Sequence, residues 1–530
     1  MSPNFGTYRL AVGGGDEVAA RPGVRERGLR LLLALAAGVG IVASVESAAF
    51  AQQANTAGNV SASGSGPAAD CGPKAEQGFV DRFVGAYADH LNVTGEESGP
   101  EPAHRDAPLP PLSSPPFPTA TWTPGGSPPI GYEGMVTGPL MDAIYCGRNG
   151  QAIKDSRITV YGWIDPGFNL STSHNKYSIS QGLGGNGVTA YDVYPNTVQL
   201  DQAVLYFERV PDTVQTDHVD WGFRVANLYG TDYKYTFSHG ILSNQYIVDH
   251  HVNGYDPVMV YVDLYFPGVA DGTNVRIGRY ISVPDIEAQL APNNYTYSHS
   301  LLYTVDPYTQ TGMVGTFKLD KNWTVQLGIS GGDDVAPWDP SATPTGLACV
   351  NWTSDSGNDN LYPCVNSING GHYAYNNLQD LVATWYHKFN EQWHMATEAY
   401  YMWEDNVPNV SPNAPPTAPP TIPNANGAFC KATQATCTAA EYAIVNYVQY
   451  RLTPKDYLSF RNDMLNDLRG QRTGFPTLYT ETTLSWNHWI GDVITFRPEL
   501  RFDHSWTVPA YDGGHARNQL TFAGDVIVHF

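Results

Sequence analysis

A chain of 530 residues with a formal net charge of −22 is unsuited to binding nucleic acid by phosphate neutralisation. Only 15% of residues are charged while 12% are aromatic, and the chain carries 52 Gly and 39 Pro; this excludes a coiled coil, a helical bundle and a disordered acidic chain. Mean hydropathy is −0.30, and past the N-terminus no apolar run is long enough to cross a bilayer as a helix, which leaves open a membrane β-barrel whose alternating strands average to polar.

The N-terminus carries a basic run, Arg25 to Arg30, then the apolar stretch Leu31 to Val45 and the small-residue site Ala49-Phe50-Ala51. This pattern predicts a cleaved export signal over residues 1–51 and an oxidising destination. Six cysteines suit that destination. Proximity in sequence favours the pairs Cys71–Cys146, Cys349–Cys364 and Cys430–Cys437, and their spacing does not form a zinc site. Residues 52–154 read as a leader, with a short helix near 74–92 that places Phe79, Phe83, Tyr87 and Leu91 on one stripe. Between Pro100 and Pro129, 11 of 30 residues are Pro, which predicts an extended strap.

From residue 155 to 530 the texture is uniform. Segments of about ten residues alternate apolar and polar, the signature of a strand with two unlike faces. Ile494, Phe496, Pro498, Leu500 and Phe502 face one way, and Thr495, Arg497, Glu499, Arg501 and Asp503 the other. Fourteen such strands are predicted, or 16 if the 231–256 or 283–311 loop hides a hairpin. Connections after even-numbered strands are short, and those after odd-numbered strands mostly long. Sorted connections and an even strand count predict an all-β, transmembrane, antiparallel up-and-down barrel in a Gram-negative outer membrane. The terminal Phe530 closes an alternating strand and looks like the signal read by the barrel assembly machinery. Trp338, Trp385, Tyr386, Trp403, Trp486 and Trp489 are expected in interfacial girdles.

The stretches YGWIDPGFNLSTS (161–173), NTVQLDQAVLYFERVPDTVQTDHVDWGFRVANLYGTDY (196–233) and YDPVMVYVDLYFPGVADGTNVRIGRYISVPDIEAQLAPNNYTYSHSLLY (255–303) resemble the OmpL-like β-barrel porin family over roughly residues 155–530. The resemblance implies an outer-membrane barrel with a pore; it supplies no catalytic or ligand residues.

Enzyme signatures such as G-x-S-x-G, H-E-x-x-H or a phosphate loop do not occur, and His250, His251 and His488 are candidates by residue type alone. No catalytic residue, cofactor or metal site is assigned. Asp333, Asp334 and Asp339, with Asp355 and Asp359, read as one solvated acidic loop; bridging of lipopolysaccharide through divalent ions is the functional alternative. Strand parity places Asp220, Arg224, Asp263, Arg276, Glu398, Arg461, Asp463, Glu481, Arg497, Glu499, Arg501, Asp503 and Asp525 on the lumen face, against water. The expected function is passive diffusion of small hydrophilic solutes or ions through a monomer or homotrimer, with lipid, lipopolysaccharide and the assembly machinery as partners and no nucleic acid. The alternative is a non-conducting barrel whose disulfide-stapled loops serve as an adhesin or receptor.

Overall fold

In the computed structural model, which describes residues 71, 76–93, 103–105, 130–132, 138–178, 184–189, 191–370, 378–411 and 427–530, the alternating segments pair into sixteen strands. They are β1 (Ile158–Ser171), β2 (Val198–Arg209), β3 (Asp220–Gly230), β4 (Gly254–Phe266), β5 (Thr273–Ile281), β6 (Thr309–Lys318), β7 (Trp323–Asp333), β8 (Thr345–Thr353), β9 (Asp359–Ile368), β10 (Gln379–Lys388), β11 (Trp393–Pro408), β12 (Thr436–Thr453), β13 (Asp456–Asp467), β14 (Thr477–Ile490), β15 (Ile494–Ser505) and β16 (Asn518–His529). Each pairs antiparallel with its sequence neighbours, and β1 also pairs with β16, closing the sheet. At the seam Trp163 lies opposite His529 and Ile164 opposite Val528. Phe530 N–H donates to Gly162 O (2.9 Å) and Gly162 N–H to Phe530 O (3.2 Å).

The burial pattern is inverted relative to a soluble sandwich. On β15 the apolar side chains Leu500 and Phe502 are 51% and 46% exposed, whereas Arg497, Glu499, Arg501 and Asp503 are buried. Val260, Ile277, Leu327, Leu381, Phe460, Leu484 and Phe522 are likewise exposed. An apolar outside and a charged inside fit a barrel whose outer solvent is lipid. Aromatics collect near both rims of this wall. Trp323 stacks near Trp352 and Trp393 near Tyr450 at the short-turn end, and Tyr229, Tyr255, Tyr401, Tyr442 and Trp506 lie exposed toward the other. Trp385, Trp486 and Trp338 are exposed as expected for girdle residues. Tyr386 and Trp489 are not: both are buried inside the barrel, because strand parity sets Tyr386 in line with the inward Val382 and Thr384.

The hairpin that raises the count from 14 to sixteen lies where no strand was expected. It is β8–β9, with Cys349 directly opposite Cys364. The 231–253 connection instead holds two short helices, Tyr233–Thr236 and Asn244–Ile247. The new hairpin also divides the acidic loop. Asp333 and Asp334 stand at one end of the barrel, while Asp355 and Asp359 flank the short β8–β9 turn at the other. There Asp355 pairs with Lys321 (2.6 Å) and Asp359 with His387 (2.6 Å).

Connections remain sorted. Those after even-numbered strands run from two to ten residues and those after odd-numbered strands from nine to 27, and two of the short ones are built alike. In 319–322 Asp320 Oδ1 accepts from Asn322 N (2.8 Å) and Trp323 N (2.9 Å); in 389–392 Asn390 Oδ1 accepts from Gln392 N and Trp393 N (both 2.9 Å). A short acceptor side chain thus closes its own turn. The Cys71–Cys146 and Cys430–Cys437 disulfides also form.

The described part of the leader sits on the short-turn end. Helix Phe79–Leu91 packs on helix Pro139–Tyr145, with Arg82 Nε donating to Ala143 O (2.9 Å). Its buried face centres on Arg82 and Ala86; the Phe79, Phe83, Tyr87 and Leu91 stripe is only half-buried. Arg105 donates to Tyr265 OH (2.8 Å), and Gly131 N–H to Thr213 Oγ1 (3.1 Å). Residues 1–51 and most of the Pro-rich run lie outside the described residues.

His90 ties the leader to the barrel. Its Nδ1 lies 2.7 Å from Asp492 in the β14–β15 turn and its Nε2 2.9 Å from Asp142. Gly491 permits this approach: at φ +60°, a Cβ there would sit 2.1 Å from His90 O. Burial would depress the imidazole pKa, but hydrogen bonds and charge from Asp142 and Asp492 outweigh it and hold His90 up to about 9. Protonated His90 therefore stabilises docking fully below the ordinary imidazole value of 6.5, and that contribution is lost as pH rises through about 9. Protease sensitivity of residues 79–91 should rise as pH passes about 9 and be high already at neutral pH in His90→Ala. A sensitivity flat across that range in the wild type would contradict the tie.

Candidate functional site in the barrel interior

The β5–β6 connection, residues 282–308, does not project from the rim. It folds into the barrel, where nearly all of it is buried, and includes a 3₁₀ turn at Ala291–Asn293 and a short helix at Leu301–Val305. The segment contains no Lys or Arg. Its backbone polar groups, cut off from water, must find partners on the wall. The wall supplies them from inward-facing charged and polar side chains.

Three arginines do much of this. Arg461 donates to Thr296 Oγ1 (2.9 Å), Ser298 Oγ (2.9 Å) and Ser298 O (2.5 Å) while pairing with Glu481 (3.0 Å). Arg497 donates to Ala291 O (2.7 Å) and Asn294 O (2.8 Å) and pairs with Asp525. Arg501 donates to Ser298 Oγ (3.1 Å) and His299 O and pairs with Asp503 (2.8 Å). Each guanidinium thus joins a wall carboxylate to the segment, which suits its fixed fork of donors. Carboxylates accept from the segment directly. Ile286 N–H donates to Glu398 (2.8 Å), Ser298 N–H to Glu499 (3.1 Å) and Leu301 N–H to Asp463 (2.7 Å). Tyr295 OH bonds His394 (2.8 Å), and Tyr295 O accepts from Asn487 (2.7 Å).

Of the thirteen charged residues assigned to the lumen by parity, twelve are buried and Arg224 is partly accessible. Their surroundings differ from the expected open water. Glu398, Arg461, Asp463, Glu481, Arg497, Glu499, Arg501, Asp503 and Asp525 are buried around the segment. Asp263 and Arg276 form a bidentate pair (2.9 Å) under the Tyr261 ring. Asp220 pairs with Arg209 (2.9 Å) and Arg224 with Glu208 (2.6 Å), Arg224 keeping part of its side chain accessible. The candidate histidines find local partners: His488 bonds Asp456 (2.8 Å) and His250 the Tyr246 carbonyl (3.0 Å).

Sequence reasoning missed the segment's own acids, Asp285, Glu287 and Asp306, and the inward Asp201, Asp256, Asp380, Glu404 and Glu441. Asp334, expected on a solvated loop, is buried. It accepts from Tyr308 N (3.2 Å) and Thr309 N (2.8 Å), fixing the segment where it rejoins β6. Toward the long-connection end a cavity of about 180 Å³ opens beside the segment, lined by residues including Tyr177, Tyr235, Thr304, Val305, Arg472 and Phe475.

A closed sixteen-stranded sheet with an apolar outer wall and a charged interior threaded by its own chain defines an outer-membrane β-barrel of the porin class. Residues 157–530 match the family described as putative beta-barrel porin-2, OmpL-like, and the chain belongs to that family. Among solved structures, the outer membrane channel DcaP of Acinetobacter baumannii aligns at 9% identity over 70% of this chain and 97% of its own, with a TM-score of 0.44. The anion-selective porin from Comamonas acidovorans aligns at 8% identity over 70% and 99% (TM-score 0.41), and OmpT of Vibrio cholerae at 10% over 70% and 99% (TM-score 0.42). A comparison with curated proteins finds no match.

Proposed function

We propose that the barrel is a diffusion channel for small hydrophilic solutes or ions, narrowed by the inner segment 282–308, and that its short turns face the periplasm. The observation that carries this reading is the polar backbone of that segment held across the interior by Arg461, Arg497 and Arg501. A barrel of ~16 strands is wide enough for an aqueous channel; a strap tied across it reduces the bore to a slot beside the segment. The thirteen lumen charges are five Arg and eight carboxylates, and Asp285, Asp306 and Asp380 add to the acid side. An acidic slot favours cations, more visibly at low salt where screening is weak.

Liposome swelling tests the reading. Vesicles reconstituted with the protein should swell in the smallest sugars and amino acids, at a rate that falls steeply with solute size. Swelling no faster than in protein-free vesicles for every solute would overturn it.

A further inference from the structure

The two ends of the inner segment meet the same patch of wall. Asp285, three residues into the segment, and Asp306, near its close, bring carboxylate oxygens together with Glu398 of β11, all within 4.8 Å of one another. The three side chains are 3%, 3% and 1% exposed. Among the described residues, both oxygens of Asp285, Oδ2 of Asp306 and Oε1 of Glu398 find no donor outside the cluster; the Asp285 and Asp306 carboxyls lie within hydrogen-bond reach of each other. Glu398 Oε2 is used, accepting from Ile286 N–H, which leaves Oε1 without a partner among the described residues.

A fourth carboxylate bears on the same place. Asp380 of β10 is fully buried, close enough to act electrostatically on Asp306 and Glu398, and only its Oδ2 is satisfied, by Asn366 (3.0 Å). Its Oδ1 lacks a donor. The arginines that neutralise the rest of the interior are committed elsewhere. Arg461, Arg497 and Arg501 serve β13–β16, and Arg472 is tied to Val305 O (3.1 Å) beside Glu404 and Glu441. Buried carboxylates are kept when paired with cations or bound to metal. Unsatisfied oxygens from three converging chains suit a hard cation that takes six to eight oxygen ligands in a loose geometry.

We propose that Asp285, Asp306 and Glu398 bind one calcium-class divalent cation inside the barrel, with Asp380 supporting it from behind. The ion clasps both ends of segment 282–308 to β11 and fixes the strap across the lumen. Ser282 N–H already donates to Tyr308 O (3.0 Å) and Ile286 N–H to Glu398 (2.8 Å); the ion adds one anchor on β11 shared by both ends. Binding does not depend on whether the barrel conducts.

The test uses the full chain, folded in detergent, stripped with chelator and titrated with Ca²⁺. The expected result is one saturable site per chain, a thermal midpoint raised by Ca²⁺ over chelator, and Tb³⁺ luminescence sensitised by the neighbouring tyrosines Tyr362, Tyr386 and Tyr400. The double variant Asp285→Asn/Asp306→Asn should bind at least tenfold more weakly and show a midpoint insensitive to Ca²⁺. Glu398→Gln, which keeps an acceptor for Ile286, should weaken binding in the same direction and provides the readout if the double variant does not fold. Equal Ca²⁺ uptake by wild type and a folded variant would overturn the proposal. So would a wild-type midpoint that Ca²⁺ leaves unmoved, the result expected if Asp285 and Asp306 share a proton instead.

Discussion

Removing both members of the Arg497–Asp525 pair should raise single-channel conductance severalfold. Arg497 is the tie between β15 and the 3₁₀ turn of the inner segment, through Ala291 O and Asn294 O. Without it the Ala291–Asn294 turn loses two charge-assisted hydrogen bonds and can lift locally from β15, while Arg461, Arg501 and Glu499 still hold residues 296–299. The paired replacement Arg497→Ala/Asp525→Ala matters because of what the single change does. Arg497→Ala alone leaves Asp525, which is fully buried, without its cation, and stranding such a charge costs about 3–5 kcal/mol. The single variant should therefore fold poorly, while the pair variant folds and conducts more. Folding is checked by the difference in gel mobility between unboiled and boiled protein, and conductance in a planar bilayer. A folded pair variant with wild-type conductance would show that the segment does not set the bore.

Gly162→Val should prevent closure of the barrel. Gly162 exchanges both backbone hydrogen bonds with Phe530 at the β1–β16 seam. A Cβ at this position would lie 2.0 Å from Val204 O and 2.8 Å from the Phe530 ring. The first contact is with backbone, which cannot swing aside as a side chain tip would. Overpacking costs about 1–3 kcal/mol where neighbours can yield; here the strand itself must move, and β1 is held on both sides. The variant should lack the fast-migrating unboiled band and fall to protease, whereas Leu500→Val, on the lipid-facing wall, should keep both. A heat-modifiable, protease-resistant Gly162→Val barrel would contradict the seam geometry.

The wall of this barrel was legible because most strands state their two faces locally. Leu500 and Phe502 alternate with Arg497, Glu499, Arg501 and Asp503, and no tertiary fact is needed to sort them. The β8–β9 hairpin was hidden for a physical reason. Its turn, Ser354–Asn358, shares its Asp, Ser, Gly and Asn content with a loop. The acids on either side therefore read as a single cluster, although they belong to opposite ends of the barrel. Tyr386 and Trp489 lie inside because parity outranks residue type: each continues the buried row of its own strand.

The interior was legible only in part. Parity put thirteen charges inside, but not what they touch, since that depends on a connection folding back between strands distant in sequence. The segment 282–308 offers one local signal, the absence of Lys and Arg over a long stretch that still carries Asp285, Glu287 and Asp306. A surface loop has no reason to exclude basic side chains; a segment whose charge partners are supplied by the wall does. The pairing of Ser298 with Arg461, or of Leu301 with Asp463, has no counterpart in sequence spacing.

The central claim is a lumen open to ions beside a strap that narrows it. Single-channel recording of the purified wild-type chain in a planar bilayer tests it directly. Discrete, long-lived steps of small amplitude are expected, with a reversal potential across a salt gradient displaced toward the cation side. A silent bilayer containing inserted, heat-modifiable barrel would contradict it.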